Sequence, residues 1–243
     1  MTAPVTANPY TAPAQPTAGV PAEERPVDPR RLRLYHRLFA WLLTSGIGVN
    51  VLATVLMVLV LPVGFALNDQ AAIKAALEGT GKGAILVSLV AIGLVSMLGT
   101  LAMIAGIVFQ LMLHHGCWRT LRADQPLTTP GRAVGFLFIP IYNLYWMFIS
   151  FGGLGRELDR VLRVRGLRPA PFRSMAITGI AVLLLIASIA VQIQHIRQPS
   201  IPTFLIPQGI MLAMLALFLW YHAGATAAAI RLAEHDRRAQ GAV

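Results

Sequence analysis

Four long apolar segments, separated by polar stretches rich in arginine, dominate the pattern of this chain. They cover residues 38–60, 84–113, 175–194 and 204–224. A helix needs about 20 residues to cross a hydrocarbon core of roughly 30 Å, and each segment is long enough. The pattern therefore predicts an all-α membrane protein with four transmembrane helices.

There is a fifth apolar segment, residues 133–155. The distribution of charge, rather than hydropathy, decides whether it crosses the membrane. With four spans, 17 of the 20 Lys and Arg residues lie on the same side as both termini. A fifth crossing would translocate all six arginines between Arg156 and Arg173. Basic loops stay in the cytoplasm, so the sequence predicts four spans, cytoplasmic termini, and a central segment that enters and leaves on the cytoplasmic side.

Two residues in this central segment predict a turn. Pro140 has no amide N–H and interrupts a helix, and the side chain of Asn143 can bond to nearby backbone groups. Irregular backbone at membrane depth is tolerated only where protein or water covers it. We therefore expect a helical hairpin with its turn at Pro140 and Asn143. It is either re-entrant or flat in the interface, and the sequence leaves this choice open.

The sequence around this turn resembles a known motif. Residues 128–146 read TTPGRAVGFLFIPIYNLYW. This run is similar to the central motif of bacterial multi-pass membrane proteins that are classified only as containing a domain of unknown function. In those proteins a similar Pro-x-x-Asn block lies between pairs of membrane helices. The resemblance extends over about residues 84–232. It implies a membrane fold in a bacterial cytoplasmic membrane, and it implies no activity, cofactor or catalytic residue.

The chain divides into three parts by composition. Residues 1–29 contain seven prolines and few large apolar residues. Such a segment cannot bury enough surface to fold, so we expect a disordered cytoplasmic tail. Residues 30–232 form the four-span membrane domain, and residues 233–243 form a polar C-terminal tail.

The basic character of the chain points to lipid rather than to nucleic acid. The formal net charge is +10, yet only 12 % of residues are charged, about half the share in a soluble domain. The arginines flank apolar spans, where anionic headgroups attract them. The predicted contacts with headgroups, or with a membrane protein partner or second copy, are Arg156, Arg160, Arg163 and Arg165.

Few residues suggest chemistry. His36, His114, His115 and His222 all fall near the cytoplasmic ends of the predicted spans, and imidazole is a common ligand for metals and haem iron. Interfacial histidines more often form hydrogen bonds, so we expect neither a metal nor another cofactor. Cys117 is the only cysteine, which excludes an intramolecular disulfide. The four apolar segments contain no Asp or Glu, which argues against an enzyme and against an ion-coupled transporter.

The sequence favours a structural or regulatory membrane protein with an arginine-rich cytoplasmic face. The alternative is a small transporter or channel that uses Asn50, Gln110 and Asn143 as pathway groups. That alternative requires a continuous polar cavity joining the three side chains. A third hypothesis is a metal- or haem-binding membrane enzyme with its site at the histidines.

Overall fold

The computed structural model describes residues 27–60, 82–124, 126–169, 174–198 and 201–241. The predicted N-terminal tail lies outside the described residues except for its last three. The described ranges contain helices and connecting turns but no strand. They form seven α-helices: α1 (Pro29–Val60), α2 (Lys82–Arg119), α3 (Pro130–Gly135), α4 (Pro140–Met147), α5 (Gly153–Val164), α6 (Ser174–Arg197) and α7 (Ile201–Gly241).

Four of these helices are long and apolar enough to cross a membrane. The qualifying segments are Pro29–Met57 in α1, Val87–Arg119 in α2, Ser174–Arg197 in α6 and Leu205–Gln240 in α7. The predicted all-α fold with four candidate membrane helices is confirmed.

Polar contacts extend two of the long helices beyond the predicted apolar segments. Arg33 in the first turns of α1 pairs with Glu234 near the end of α7. Arg237 Nη2 lies 3.2 Å from Asp28 Oδ1, just before α1. Helix α7 continues to Gly241 and therefore includes most of the predicted polar tail.

Small residues allow α1 and α2 to pack closely. A Cβ atom added to Gly46 would lie 2.7 Å from the carbonyl oxygen of Gly99, and one added to Gly106 would lie 3.0 Å from the amide nitrogen of Leu43. Close backbone approach of this kind is how helices pack where lipid removes the hydrophobic driving force.

The central segment breaks just before Pro140 rather than across Pro140 and Asn143. The residues of α3 are followed by a 3₁₀ turn, Phe136–Phe138, and by Ile139 in an extended conformation. Pro140 is then the first residue of α4, where the missing N–H would have had no partner in any case. The amide of Asn143 donates to the carbonyl of Ile139 over 2.8 Å, as an ordinary member of the first helical turn.

Helices α4 and α5 are joined by a π-helical turn, Phe148–Gly152, so that residues 140–164 follow one helical path. The turn is buried against the long helices: Ser174 Oγ at the start of α6 donates to the carbonyl of Gly152 over 2.9 Å. One face of α5 is also buried, and it consists of Leu154, Leu158, Val161 and Leu162.

Candidate functional site

One end of the helix bundle holds the ion pairs that link its described elements, and we call it the basic end. It consists of the first turns of α1 and α6, the last turns of α2 and α7, and all of α5. Arg165, the residue that follows α5, forms the central ion pairs of this end. This guanidinium donates to both carboxylate oxygens of Asp124, at 3.0 and 2.9 Å, and pairs with Asp236 on α7.

A hydrogen-bonded network centred on His114 lies buried beneath the basic end. His114 and Ser150 are 1 % and 0 % exposed. His114 Nε2 lies 2.7 Å from Ser150 Oγ, and Ser150 Oγ lies 2.8 Å from the carbonyl oxygen of Ala133. The indole of Trp146 also donates to Ala133, over 3.2 Å. The network thus joins α2, the π-helical turn and α3.

The inventory of protons fixes the direction of these bonds. The Ser150 hydroxyl has one proton, and a neutral imidazole has one. If Ser150 donates to Ala133, then His114 Nε2–H donates to Ser150 Oγ. The indole of Trp118, which is 3.2 Å from the carbonyl of Ser150, donates to that carbonyl. This arrangement pairs every donor and leaves only an acceptor, His114 Nδ1, without a partner among the described residues.

His222 on α7 packs beside this network. Its Nδ1 donates to the carbonyl of Phe218 over 2.8 Å, and its ring centre is 6.4 Å from that of His114. The ring of Phe39 lies between His222, at 4.8 Å, and His36, at 6.5 Å. The structure thus brings three of the four predicted histidines into one aromatic cluster.

His115 is the exception, because it lines a cavity at the basic end. In the part of the chain that the structure describes, no group of three or more His, Cys, Asp or Glu residues is placed to hold a metal ion. Cys117 is free and buried. The expectation of no metal or other cofactor stays a prediction.

The four arginines predicted to contact headgroups fall into two pairs. Arg160 donates to Glu157 Oε2 over 2.7 Å and to the carbonyl of Asp124 over 3.0 Å, and Arg165 is held by two carboxylates. By contrast, Arg156 and Arg163 are exposed and have no ion pair among the described residues. Of these four, Arg156 and Arg163 are therefore the two whose charge is available to a partner outside the protein.

The polar groups proposed for a transport pathway lie apart from the cavities. Asn50 Nδ2 donates to the carbonyl of Gly46 over 2.9 Å, and its Oδ1 accepts from Ser96 over 2.8 Å. These bonds join α1 to α2. Asn50, Gln110 and Asn143 line neither the cavity at the basic end nor the small one beside Phe151.

The larger cavity is a site that the sequence analysis missed. It has a volume of about 840 Å³ and lies at the basic end. Three of its residues are arginines, each from a different long helix: Arg31, Arg119 and Arg237. The sequence signal was present, since each arginine lies within three turns of the end of a long helix. Nothing in the sequence showed that those three ends converge.

Comparison with known proteins adds no further assignment. No family model matches the chain, and no curated protein or solved structure is significantly similar to it. The resemblance to bacterial proteins with a domain of unknown function stays a prediction.

Proposed function

We propose that this protein is a structural or regulatory component of a bacterial cytoplasmic membrane. Its basic end faces the cytoplasm and contacts anionic lipid headgroups, with a membrane protein partner or a second copy as a further contact. The observation that carries the proposal is the charge distribution. With four spans, 17 of the 20 Lys and Arg residues fall on one side, and basic residues are retained on the cytoplasmic side.

The course of the chain supports this orientation. The start of α1 and the end of α7 lie together at the basic end, where Asp28 pairs with Arg237. The segment between α2 and α6 also begins and ends there, since Ser174 bonds to Gly152. Four crossings return the chain to the side on which it started, as cytoplasmic termini require.

Exposed aromatic side chains support an interfacial position for the hairpin formed by α3 and α4. Phe138, Tyr142 and Tyr145 are exposed, whereas Trp146, whose ring stacks on that of Tyr142, is buried. Rings with a polar tip concentrate at headgroup depth, where one end of the ring is apolar and the other is wet. We infer that these three side chains face lipid and that residues 133–155 do not cross the membrane.

The buried network supports a structural role. Ser150 bonds to both His114 and Ala133, which ties the hairpin to the membrane helices without presenting a nucleophile to solvent. Asn50 does not support the transporter alternative, because its side-chain amide is already bonded to Gly46 and Ser96.

Cysteine labelling tests the orientation. Arg163→Cys and Gln198→Cys are made separately in a Cys117→Ala background, since residues 163 and 198 lie at opposite ends of the bundle. A membrane-impermeant maleimide should label residue 198 in intact spheroplasts and residue 163 only after permeabilisation. Labelling of residue 163 in intact spheroplasts would overturn the proposal.

A further inference from the structure

Three of the buried polar atoms that have no hydrogen-bond partner among the described residues belong to one cluster of side chains on α2 and α7. They are Nδ1 of His114, Nε2 of His222 and Oγ1 of Thr226. The three residues are 1 %, 1 % and 5 % exposed. A polar atom that loses its bonds to solvent on burial and gains none in return destabilises the folded protein. We therefore expect these atoms to have a partner.

The bonds made by the other nitrogen of each ring show what the two histidines need. The carbonyl of Phe218 can only accept, so the proton of the His222 imidazole lies on Nδ1 and its Nε2 is an acceptor. In the arrangement that pairs every donor around His114, the proton lies on Nε2, which donates to Ser150, and Nδ1 is the acceptor. Both rings therefore present a lone pair that needs a donor.

The two rings are too far apart to bond to each other, and their separation leaves room for one shared small molecule. The ring centres of His114 and His222 are 6.4 Å apart, and a ring nitrogen lies about 1.1 Å from the centre of an imidazole, as its bond lengths require. The two acceptor nitrogens are therefore at least about 4 Å apart, beyond the limit of roughly 3.2 Å for a direct hydrogen bond. A water molecule that donates to both nitrogens, over about 2.8 Å each, spans up to about 5.6 Å.

Thr226 supplies the third polar group. It follows His222 by four residues on α7, so the two side chains lie on one face of the helix, one turn apart. Side chains in a helix lean toward its N-terminus, which directs the Thr226 side chain toward His222. The hydroxyl can donate one proton. The three side chains thus offer two acceptors and one donor.

We propose that His114, His222 and Thr226 bind one water molecule, which donates to His114 Nδ1 and to His222 Nε2 and accepts from Thr226 Oγ1. These are three hydrogen bonds, about the number that a buried water makes in proteins. A metal ion fits less well, because the three side chains offer no anionic ligand and no group of three His, Cys, Asp or Glu residues in the described ranges is placed to hold one. The water extends the His114 network from α2 to α7. The site does not depend on which end of the protein is cytoplasmic, so it goes beyond the proposed function.

Solid-state nuclear magnetic resonance of the full-length protein in lipid bilayers, with isotope-labelled histidine nitrogens and a chelator present, tests the proposal on the unaltered chain. We expect His114 as the Nε2–H tautomer and His222 as the Nδ1–H tautomer. Magnetisation should pass from water protons to the unprotonated nitrogen of each ring. Disappearance of signals in His114→Phe and in His222→Phe assigns the two residues among the six histidines. Thr226→Val should reduce the transfer from water to both rings, whereas Thr226→Ser keeps the hydroxyl and should preserve it.

Thr178→Val is the matched control for Thr226→Val. Thr178 is 3 % exposed, and its hydroxyl donates to the carbonyl of Ser174 within α6, so this variant should leave the transfer to both histidines unchanged. A ring nitrogen of His114 or His222 that receives no magnetisation from water in the unaltered protein would overturn the proposal. Stoichiometric copper or zinc in protein purified without the chelator, with ring-nitrogen resonances that shift when the chelator is added, would overturn it too, because a metal ion would then occupy the site. Equal reductions in Thr226→Val and Thr178→Val would contradict the role of Thr226.

Discussion

The hydroxyl of Tyr221 donates a hydrogen bond to the carbonyl oxygen of Phe151 over 2.7 Å, which joins α7 to the π-helical turn. Tyr221 is buried. The bond gives the wider helical turn at residues 148–152 a fixed partner on a membrane helix.

Tyr221→Phe should lower the free energy of unfolding by about 1–3 kcal/mol, because the buried carbonyl of Phe151 loses its donor. Thermal unfolding in detergent, followed by circular dichroism, measures this loss. Tyr145→Phe is the control, since Tyr145 on α4 is 60 % exposed and should lose almost nothing. Equal stability of the two variants would show that the Tyr221 bond does not hold the turn.

Ser150→Ala should destabilise the protein by a similar amount, about 1–3 kcal/mol, since His114 Nε2 is left without its partner in a buried site. A double-mutant cycle with His114→Phe measures whether the two residues act together. Ser45→Ala is the matched control, because the Ser45 hydroxyl bonds only to Leu42 within its own helix among the described contacts. Strictly additive losses at residues 114 and 150 would contradict the network.

Gly46→Ala should cost about 1–3 kcal/mol, the usual price of overpacking, since its Cβ would lie 2.7 Å from the backbone oxygen of Gly99. Gly48→Ala, two residues along α1, has nothing within 4 Å of its added Cβ. It should be neutral or stabilising by up to about 1 kcal/mol, because alanine favours helix. Thermal stability in detergent compares the two, and a harmless Gly46→Ala would refute the close contact between α1 and α2.

Arg165→Gln should release α5 from both the turn at Asp124 and the end of α7. Hydrogen bonds to charged groups contribute about 1.5–3 kcal/mol each, and the Arg165 side chain is only 21 % exposed. Arg163→Gln, on the exposed side of the same helix, should change stability by less than about 0.5 kcal/mol. Hydrogen exchange of residues 153–164 provides the local measurement: faster exchange is expected for Arg165→Gln alone.

Pro140→Ala and Asn143→Leu should both be mild, which differs from what the sequence suggested. Pro140 is the first residue of α4. It does not hold a turn in the middle of a helix, so replacing it with alanine removes no such constraint. Asn143 Oδ1 is buried without a partner among the described residues, and leucine removes that unpaired acceptor. We expect unchanged or slightly higher thermal stability, and a reporter fused after Gly166 that stays cytoplasmic in both variants. A translocated reporter in Pro140→Ala would show that Pro140 prevents a fifth crossing.

Hydropathy and charge predicted the all-α fold class and all four long helices, because span length and apolar content are local properties of a sequence. The same reasoning misplaced the break by one residue. It treated Pro140 as an interruption, although proline also begins helices. The sequence could not show that Arg165 is ion-paired and Arg163 is not, because only the tertiary structure brings Asp124 and Asp236 next to Arg165.

The cavity illustrates the same limit. Arg31, Arg119 and Arg237 are separated by more than 80 residues from one another in the chain, and each one reads as an ordinary basic flank of an apolar segment. Their shared chemistry depends on how three helix ends converge. A local pattern carries no information about that convergence.

The pairing of Asp28 with Arg237 also has a consequence for connectivity. Since these residues are 3.2 Å apart, the described chain closes almost into a loop, and the segments that flank it leave from one patch. A short linker should therefore join the two ends in a circular permutant, with new termini opened at the far side between α6 and α7. For the same reason, a domain fused directly to either end of the described chain would share its immediate surroundings with the other end.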